Sequence, residues 1–471
     1  MRLGLNLKYS LRPVKTARLH KSRARCTAVL LLGLLAACWS SSPLRAAVLL
    51  PDPVNILSQP QLAGDCFGCR PVAETHGVVL TVQSISDLLG NTTGGASAAT
   101  TYSGLVNTAL AVDLQKAVGW EGGSFKNTWL WLYGNNGNNL SENIDNALSV
   151  SSIAGAPTFR CYELWLQQNA LNDAISLRGG LLGLDAEFMI APTATLFVNG
   201  TFGTPALFSM NVPNGGPTYP EATPGVRLAV QPTSWLTLRT AFTQANPFEQ
   251  HSNLYGFNWN FGLAGGLLNL NEAAASWNSG SPVHQDPSAM RSDGSDNVRG
   301  LSGTAKVGSW LQTGQGASGA EAGEFNFGSP TASAFSSGFY SIIDQQLYAV
   351  PGKPSKGLSS FARVGFSPTA TSALSFYSDG GLVYTGLIPR RDEDRLGVAF
   401  GYAKLSDQCA ADATTASCPG ASFEAVAELS YSIRLTPAIA IQPDLQYILH
   451  PGGTQQYGNA LVVGFRAVVD F

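Results

Sequence analysis

The sequence predicts an all-β fold: a closed antiparallel transmembrane β-barrel of about 16 strands, with short periplasmic turns and longer extracellular loops. Three observations carry this reading. The chain ends on Leu461, Val463, Phe465, Ala467, Val469 and Phe471, apolar and two apart, with Gly464, Arg466 and Asp470 among the alternate positions. In a strand that spacing makes one apolar face and one charged face. Beyond the N-terminal leader, no stretch reaches the roughly 18 consecutive apolar residues that a membrane-spanning helix needs. Charged residues are only 13% of 471, about half the share usual in soluble domains, and 51 glycines accompany them.

The first 47 residues are set apart. Nine bases from Arg2 to Arg45 and no acid surround the apolar run Ala28 to Ala37, which is too short to span a bilayer. This reads as a secretory signal cut near Ala46 or Ala47. Leu35-Ala36-Ala37-Cys38 also resembles a lipoprotein processing site, in which case Cys38 would carry the lipid. Losing nine of 28 bases and none of 31 acids leaves a net charge of −12. So acidic a chain repels nucleic-acid phosphates, and nucleic acid is excluded as a partner. Residues 48–74 read as an N-terminal periplasmic segment and 75–471 as the barrel, without a further domain boundary.

Strand-like alternation begins after Gly77, where Val78, Leu80, Val82 and Ser84 oppose Val79, Thr81 and Gln83. Similar runs, separated by Gly, Asn and Pro, fall near 101–114, 124–133, 158–168, 174–182, 193–199, 225–231, 235–243, 255–263 and 265–270. Others fall near 301–311, 336–349, 358–366, 371–377, 381–388, 395–405, 422–434, 439–448 and 458–471. Leu140 to Val150 has helical apolar spacing and reads as a short loop helix. Connections such as 231–234 and 435–438 are tight, whereas 271–300, 312–335 and 406–421 are long and polar. Short turns at one end and long loops at the other fit an outer-membrane barrel.

Within these strands the charges keep to one side. Glu163, Trp165 and Gln167 oppose Leu164 and Leu166; Ser176 and Arg178 oppose Leu177 and Leu181. Arg227 faces away from Val226, Leu228 and Val230, and Thr237 and Arg239 from Leu236, Leu238 and Phe242. Near the end of the chain, Glu424, Glu428, Ser430, Ser432 and Arg434 share a face, as do Gln442, Asp444 and Gln446. A lipid-facing Arg costs roughly 2–4 kcal/mol at mid-depth, so water must lie on the charged side. A soluble sandwich could present the same face to bulk solvent, but it does not account for so many strands without a second core.

Cys66 and Cys69 form a C-x-x-C pair and Cys409 and Cys418 a second, distant one. In an oxidising envelope two disulfides, 66–69 and 409–418, are expected rather than a metal site, with Cys161 packing as a small hydrophobe. None of the five histidines neighbours a convincing nucleophile, so no catalytic residue, metal or cofactor is assigned and the chain is not read as an enzyme.

A lumen of mixed Arg, Asp, Glu, Gln and aromatic side chains suits small neutral sugars. Carboxylates and guanidiniums hydrogen-bond hydroxyls in pairs, and an aromatic ring stacks on a pyranose face. The sequence resembles the carbohydrate-selective porins of the OprB type at Tyr162-Glu163-Leu164-Trp165, Ser176-Leu177-Arg178-Gly179-Gly180 and Asp185-Ala186-Glu187-Phe188. Asn199 to Gly203, Asn211 to Pro220, Ala222 to Leu228, Gln442 to Tyr447 and His450 to Gly453 extend the likeness over roughly 64–471. It departs at Gly64-Asp65-Cys66-Phe67-Gly68-Cys69, where the family has a Gly-Asp-Trp-Gly-Gly-type run, at Cys161, and across 250–350.

The resemblance implies a 16-stranded Gram-negative outer-membrane barrel through which sugars, glucose above all, diffuse passively. It implies a constriction built by Arg178, Asp185, Glu187 and Arg227; Glu163, Trp165 and Arg239 join them as pore-lining candidates. Outer-membrane lipid is the other partner. A homotrimer is compatible with the chain, since a lipid-facing stripe and a subunit interface share one pattern. The rival readings are a general non-selective diffusion porin and a plugged barrel with an adhesive or structural role.

Overall fold

Alternation over 8 to 16 residues at a time makes sixteen strands. They are β1 (Val78–Thr93), β2 (Thr100–Asp113), β3 (Gly123–Tyr133), β4 (Thr158–Ala170), β5 (Ile175–Leu182), β6 (Thr223–Thr233), β7 (Leu236–Gln244) and β8 (Leu267–Trp277). The second half holds β9 (Gly303–Thr313), β10 (Phe335–Val350), β11 (Lys353–Phe366), β12 (Leu374–Thr385), β13 (Arg395–Leu405), β14 (Phe423–Thr436), β15 (Ile439–Leu449) and β16 (Ala460–Asp470). This is a computed structural model that describes residues 58–134, 139–247, 253–257, 259, 266–278, 300–314, 335–406 and 422–471.

Each strand pairs antiparallel with its sequence neighbours, and β16 closes the ring on β1 from Gln83↔Asp470 to Thr93↔Leu461. Closure satisfies the backbone groups that an open edge would leave bare in hydrocarbon. The polarity is inverted relative to a soluble protein. Phe339 is 68% exposed and Phe465 42%, whereas Arg466 is 7% and Glu424 0% exposed.

Several expected strands change. Residues 192–196 form a 3₁₀ turn rather than a strand over 193–199, because Pro192 opens it and the segment lies in the β5–β6 loop. Of 255–263, the described residues 255–257 lie in a turn. The runs 371–377 and 381–388 merge into β12, since Gly380 and Gly381 sit within the strand without ending it. The expected long loop 271–300 loses its start to β8, and the connection after it leaves from the end that carries the short turns, the start of β1 and the end of β16. The connections after β9 and β13 leave from the other end, as expected. The loop helix is present at Leu140–Ile144, capped by the Asn139 side chain accepting from Ser141 N–H.

At the short-turn end, Leu62 N–H donates to the Asp470 carbonyl at 2.8 Å and Arg70 Nη2 to the Phe471 carbonyl at 3.1 Å. A short helix, Cys69–Thr75, follows. Cys66 and Cys69 are both free and exposed, so the 66–69 bridge is not formed. Cys66, Phe67 and Gly68 turn the chain with three successive positive φ values (50°, 60° and 84°), and a disulfide tolerates only a narrow Cβ–Cβ geometry. The second pair, Cys409 and Cys418, lies outside the described residues. Cys161 is buried, with Asn127 Nδ2 donating to its sulfur at 3.4 Å.

The apolar core is inside the barrel. The β5–β6 connection folds into the lumen and packs Leu196, Phe197, Phe202, Leu207 and Phe208 against wall residues that include Leu268, Leu270, Trp310, Phe361 and Tyr377. Rings meet at 5.1 Å for Phe197–Phe202 and 5.6 Å for Phe208–Trp310. The aqueous passage therefore takes only the cross-section that this inserted loop leaves.

Candidate functional site: a guanidinium cluster at the inserted loop

Three adjacent strands each send one arginine inward: Arg178 from β5, Arg227 from β6 and Arg239 from β7. Arg178 and Arg227 are direct cross-strand partners, an arrangement that repels unless an anion lies between. Glu187, on the inserted loop, is that anion. Its carboxylate meets Arg227 Nε at 2.9 Å, Arg239 Nε at 3.2 Å and Arg178 Nη1 at 3.4 Å. Burial pushes the carboxyl up, but the three guanidiniums outweigh it and hold it down at about 2.

Neighbours fix the arginine planes. Gln167 Oε1 accepts from Arg178 Nε at 2.9 Å and from Arg227 Nη2 at 2.8 Å. Arg227 Nη1 also donates to the Ser176 hydroxyl at 2.8 Å. The Arg178 guanidinium lies 4.0 Å from the Trp165 ring centroid, a cation–π contact. Trp165 has room because its cross-strand partner is Gly180, where an added Cβ would sit 3.0 Å from the Trp165 Cβ.

Of the predicted residues, the structure thus gathers Arg178, Glu187, Arg227, Arg239 and Trp165. Asp185 has a different set of partners. Its carboxylate accepts from Tyr162 Oη at 2.6 Å and Tyr219 N–H at 2.9 Å, bracing the two ends of the loop; burial pushes it up to about 6 against those hydrogen bonds. Glu163 faces inward but pairs with Lys126 at 3.5 Å and Thr128 Oγ1 at 3.2 Å.

Sequence reasoning missed Glu272, which the expected loop over 271–300 had swallowed. Glu272 on β8 extends the cluster to Arg239 at 3.2 Å and Lys306 at 3.7 Å, and accepts from Met189 N–H at 3.0 Å. Other wall carboxylates hold the loop in the same way. Asp344 accepts from Thr193 N–H at 2.7 Å, and Glu428 from Val198 and Asn199 N–H at 2.6 and 3.0 Å. Arg363, paired with Asp379, donates to the Thr201, Phe202 and Gly203 carbonyls at 2.8–2.9 Å. Of these, only Glu428 stood out in the sequence as a lumen charge; the loop groups that Asp344, Glu428 and Arg363 hold lie some 150 or more positions away.

The profile described as "Carbohydrate-selective porin, OprB family" matches residues 97–471. The chain belongs to this family. Porin B of Pseudomonas aeruginosa is 24% identical over 436 residues, covering 86% of this chain and 90% of that protein. The high-pH structure of Pseudomonas putida OprB superposes with a TM-score of 0.72 at 23% identity, over 88% of this chain and all of that one. Its low-pH structure superposes with a TM-score of 0.54 at 18% identity, over 88% of this chain and 99% of that one. The protein is a carbohydrate-selective porin of the Gram-negative outer membrane. In this porin, by the usual asymmetry of such barrels, the short-turn end faces the periplasm.

Proposed function

We propose that small neutral sugars, glucose among them, diffuse passively past Arg178, Arg227, Arg239 and Glu187, and that this cluster makes the pore selective. The observation that supports it is the shared carboxylate: Glu187 holds three guanidiniums in place, and Arg178 and Arg239 remain partly exposed beside it. A neutral polyol satisfies such donors in pairs without bringing a charge of its own. Trp165 lies behind Arg178 and holds its plane, rather than offering an open ring to the sugar.

Planar-bilayer recording of the purified mature chain tests this. Glucose is expected to block the ionic current at millimolar levels, and the variant Glu187→Gln to weaken the block by about tenfold, the loss of roughly 1.4 kcal/mol of positioning. Equal passage of amino acids, sugars and ions without block would point instead to a general diffusion pore. A closed baseline would point to a plugged barrel.

A further inference from the structure

We propose that this pore also conducts sugar monocarboxylates (aldonates and uronates), whose carboxylate is held at the periplasmic exit by Arg395. The idea rests on the reading of the lumen as a sugar pathway and adds a second solute class to it.

Arg395 opens β13, with its side chain on the lumen face shared by Gly397 and Ala399 and opposite the exposed Val398 and Phe400. Two residues further into the barrel, Gly397 is where the inserted loop presses on the wall. A Cβ there would sit 2.6 Å from Leu196 Cδ2 and 2.9 Å from Phe197 Cζ. Arg395 therefore lies just beyond the loop on the short-turn side. In the ring of sixteen strands β13 is nearly opposite β6, so Arg395 and the arginine cluster stand on opposite walls of the barrel.

Among the described residues Arg395 has no ion pair within 4.0 Å and no side-chain hydrogen bond, unlike the other lumen arginines. Its charged neighbours are Arg434 and Asp344. Arg434 reaches Glu393 and Asp470 at 3.8 and 3.9 Å, and Asp344 spends both oxygens on Thr193 N–H and Oγ1, at 2.7 and 2.8 Å. Arg395 as a residue is partly exposed rather than sealed in the core.

The same accounting holds along the lumen. Glu187 is shared by three guanidiniums, Glu272 by Arg239, Lys306 and a backbone N–H, and Glu428 by two backbone N–H groups. These lumen acids are committed to the fold, whereas the Arg395 guanidinium is not. Arg395 is flanked in register by Thr385 on β12 and Ser432 on β14, which therefore share its face about 5 Å to either side. A guanidinium between two hydroxyls matches a solute with a carboxylate at one end and hydroxyls along its chain.

The test uses the full mature chain in planar bilayers at constant ionic strength, with sodium gluconate, sodium galacturonate and glucose as probes. Both anions are expected to block the current. Arg395→Gln is expected to weaken their block by about tenfold, one charge-assisted contact, with glucose affected less, and Arg395→Lys to recover part of it. Should Arg395→Gln fail to fold, Thr385→Val with Ser432→Ala is expected to weaken the anion block two- to threefold. Unchanged gluconate block in these variants, or no gluconate block in a pore that glucose still blocks, overturns the proposal. Loss of both blocks in the wild-type pore overturns the sugar reading beneath it.

Discussion

Strands β16 and β8 have opposite polarity in the same barrel. In β16 the outward residues Val463 and Phe465 are apolar and exposed, and the inward Arg466 pairs with Asp87 at 2.7 Å. In β8 the inward residues include Leu268 and Leu270, both fully buried, while Asn269 and Asn271 lie on the outward face. The difference comes from what each strand faces inside. Arg466 of β16 looks onto Asp87 and Ser152, although Ala460 and Val462 of that strand still join the apolar core, whereas Leu268 and Leu270 of β8 look onto the apolar side of the inserted loop. The outward asparagines of β8 meet their needs locally: Thr240 Oγ1 donates to Asn271 Oδ1 at 2.8 Å, and Asn271 Nδ2 to Asn269 Oδ1 at 2.7 Å. Polar side chains bonded to each other lose less on facing lipid than bare ones.

Breaking each strand on its own terms gives the sharpest contrast. Leu270→Asp places an unpaired charge between wall and loop and should destabilise by several kcal/mol, the largest effect expected. A urea titration of the barrel in lipid vesicles measures it; a loss under 1 kcal/mol would mean the inserted loop does not pack on β8. Phe465→Arg, facing lipid near mid-strand, should cost about 2–4 kcal/mol in the same assay. On β8 the matching outward change, Asn271→Leu, should shift stability by no more than about 1 kcal/mol, because removing a lipid-facing polar group offsets part of the loss of its two hydrogen bonds, to Thr240 and Asn269.

The loop's two carboxylates sharpen the comparison through pH, with opposite signs. Glu187 is lowered from 4.5 to about 2, so the stability it supplies is present above 4.5 and lost as pH falls towards 2. Asp185 is raised from 3.8 to about 6, so the folded loop holds its proton more tightly than the unfolded chain does, and stability falls as pH rises from 3.8 to 6. Thermal unfolding across these windows should show both slopes. Glu187→Gln should remove the lower one and Asp185→Asn the upper; a slope surviving its own substitution would assign it elsewhere.

Much of the site was legible in the chain. Arg178, Arg227 and Arg239 each stood on the polar face of a recognisable strand, and alternation alone put them in the lumen. Glu187 was legible only through the family likeness, since nothing in its own neighbourhood says that it turns back to three strands at once. Glu272 was hidden for a physical reason. Its strand carries leucines on the lumen side and asparagines on the lipid side, so a rule that expects apolar residues outside ends the strand at Leu270 and reads Asn271 and Glu272 as the start of a polar loop. The pairing of Cys66 with Cys69 failed similarly: spacing cannot report that Cys66, Phe67 and Gly68 are all left-handed and turn the chain ahead of Cys69.

Alternation along the chain was enough to specify a barrel, most of its strands, and the collection of charge on one face. Period-two alternation is a local property, and hydrocarbon rejects charge whatever the rest of the chain does. Tertiary structure alone decided where the passage narrows. The loop between β5 and β6 enters the lumen because its Phe and Leu residues need an apolar partner and its backbone N–H groups need acceptors. Leu268, Leu270 and Trp310 supply the first, Glu272, Asp344 and Glu428 the second, and they are brought within reach only once the ring has closed.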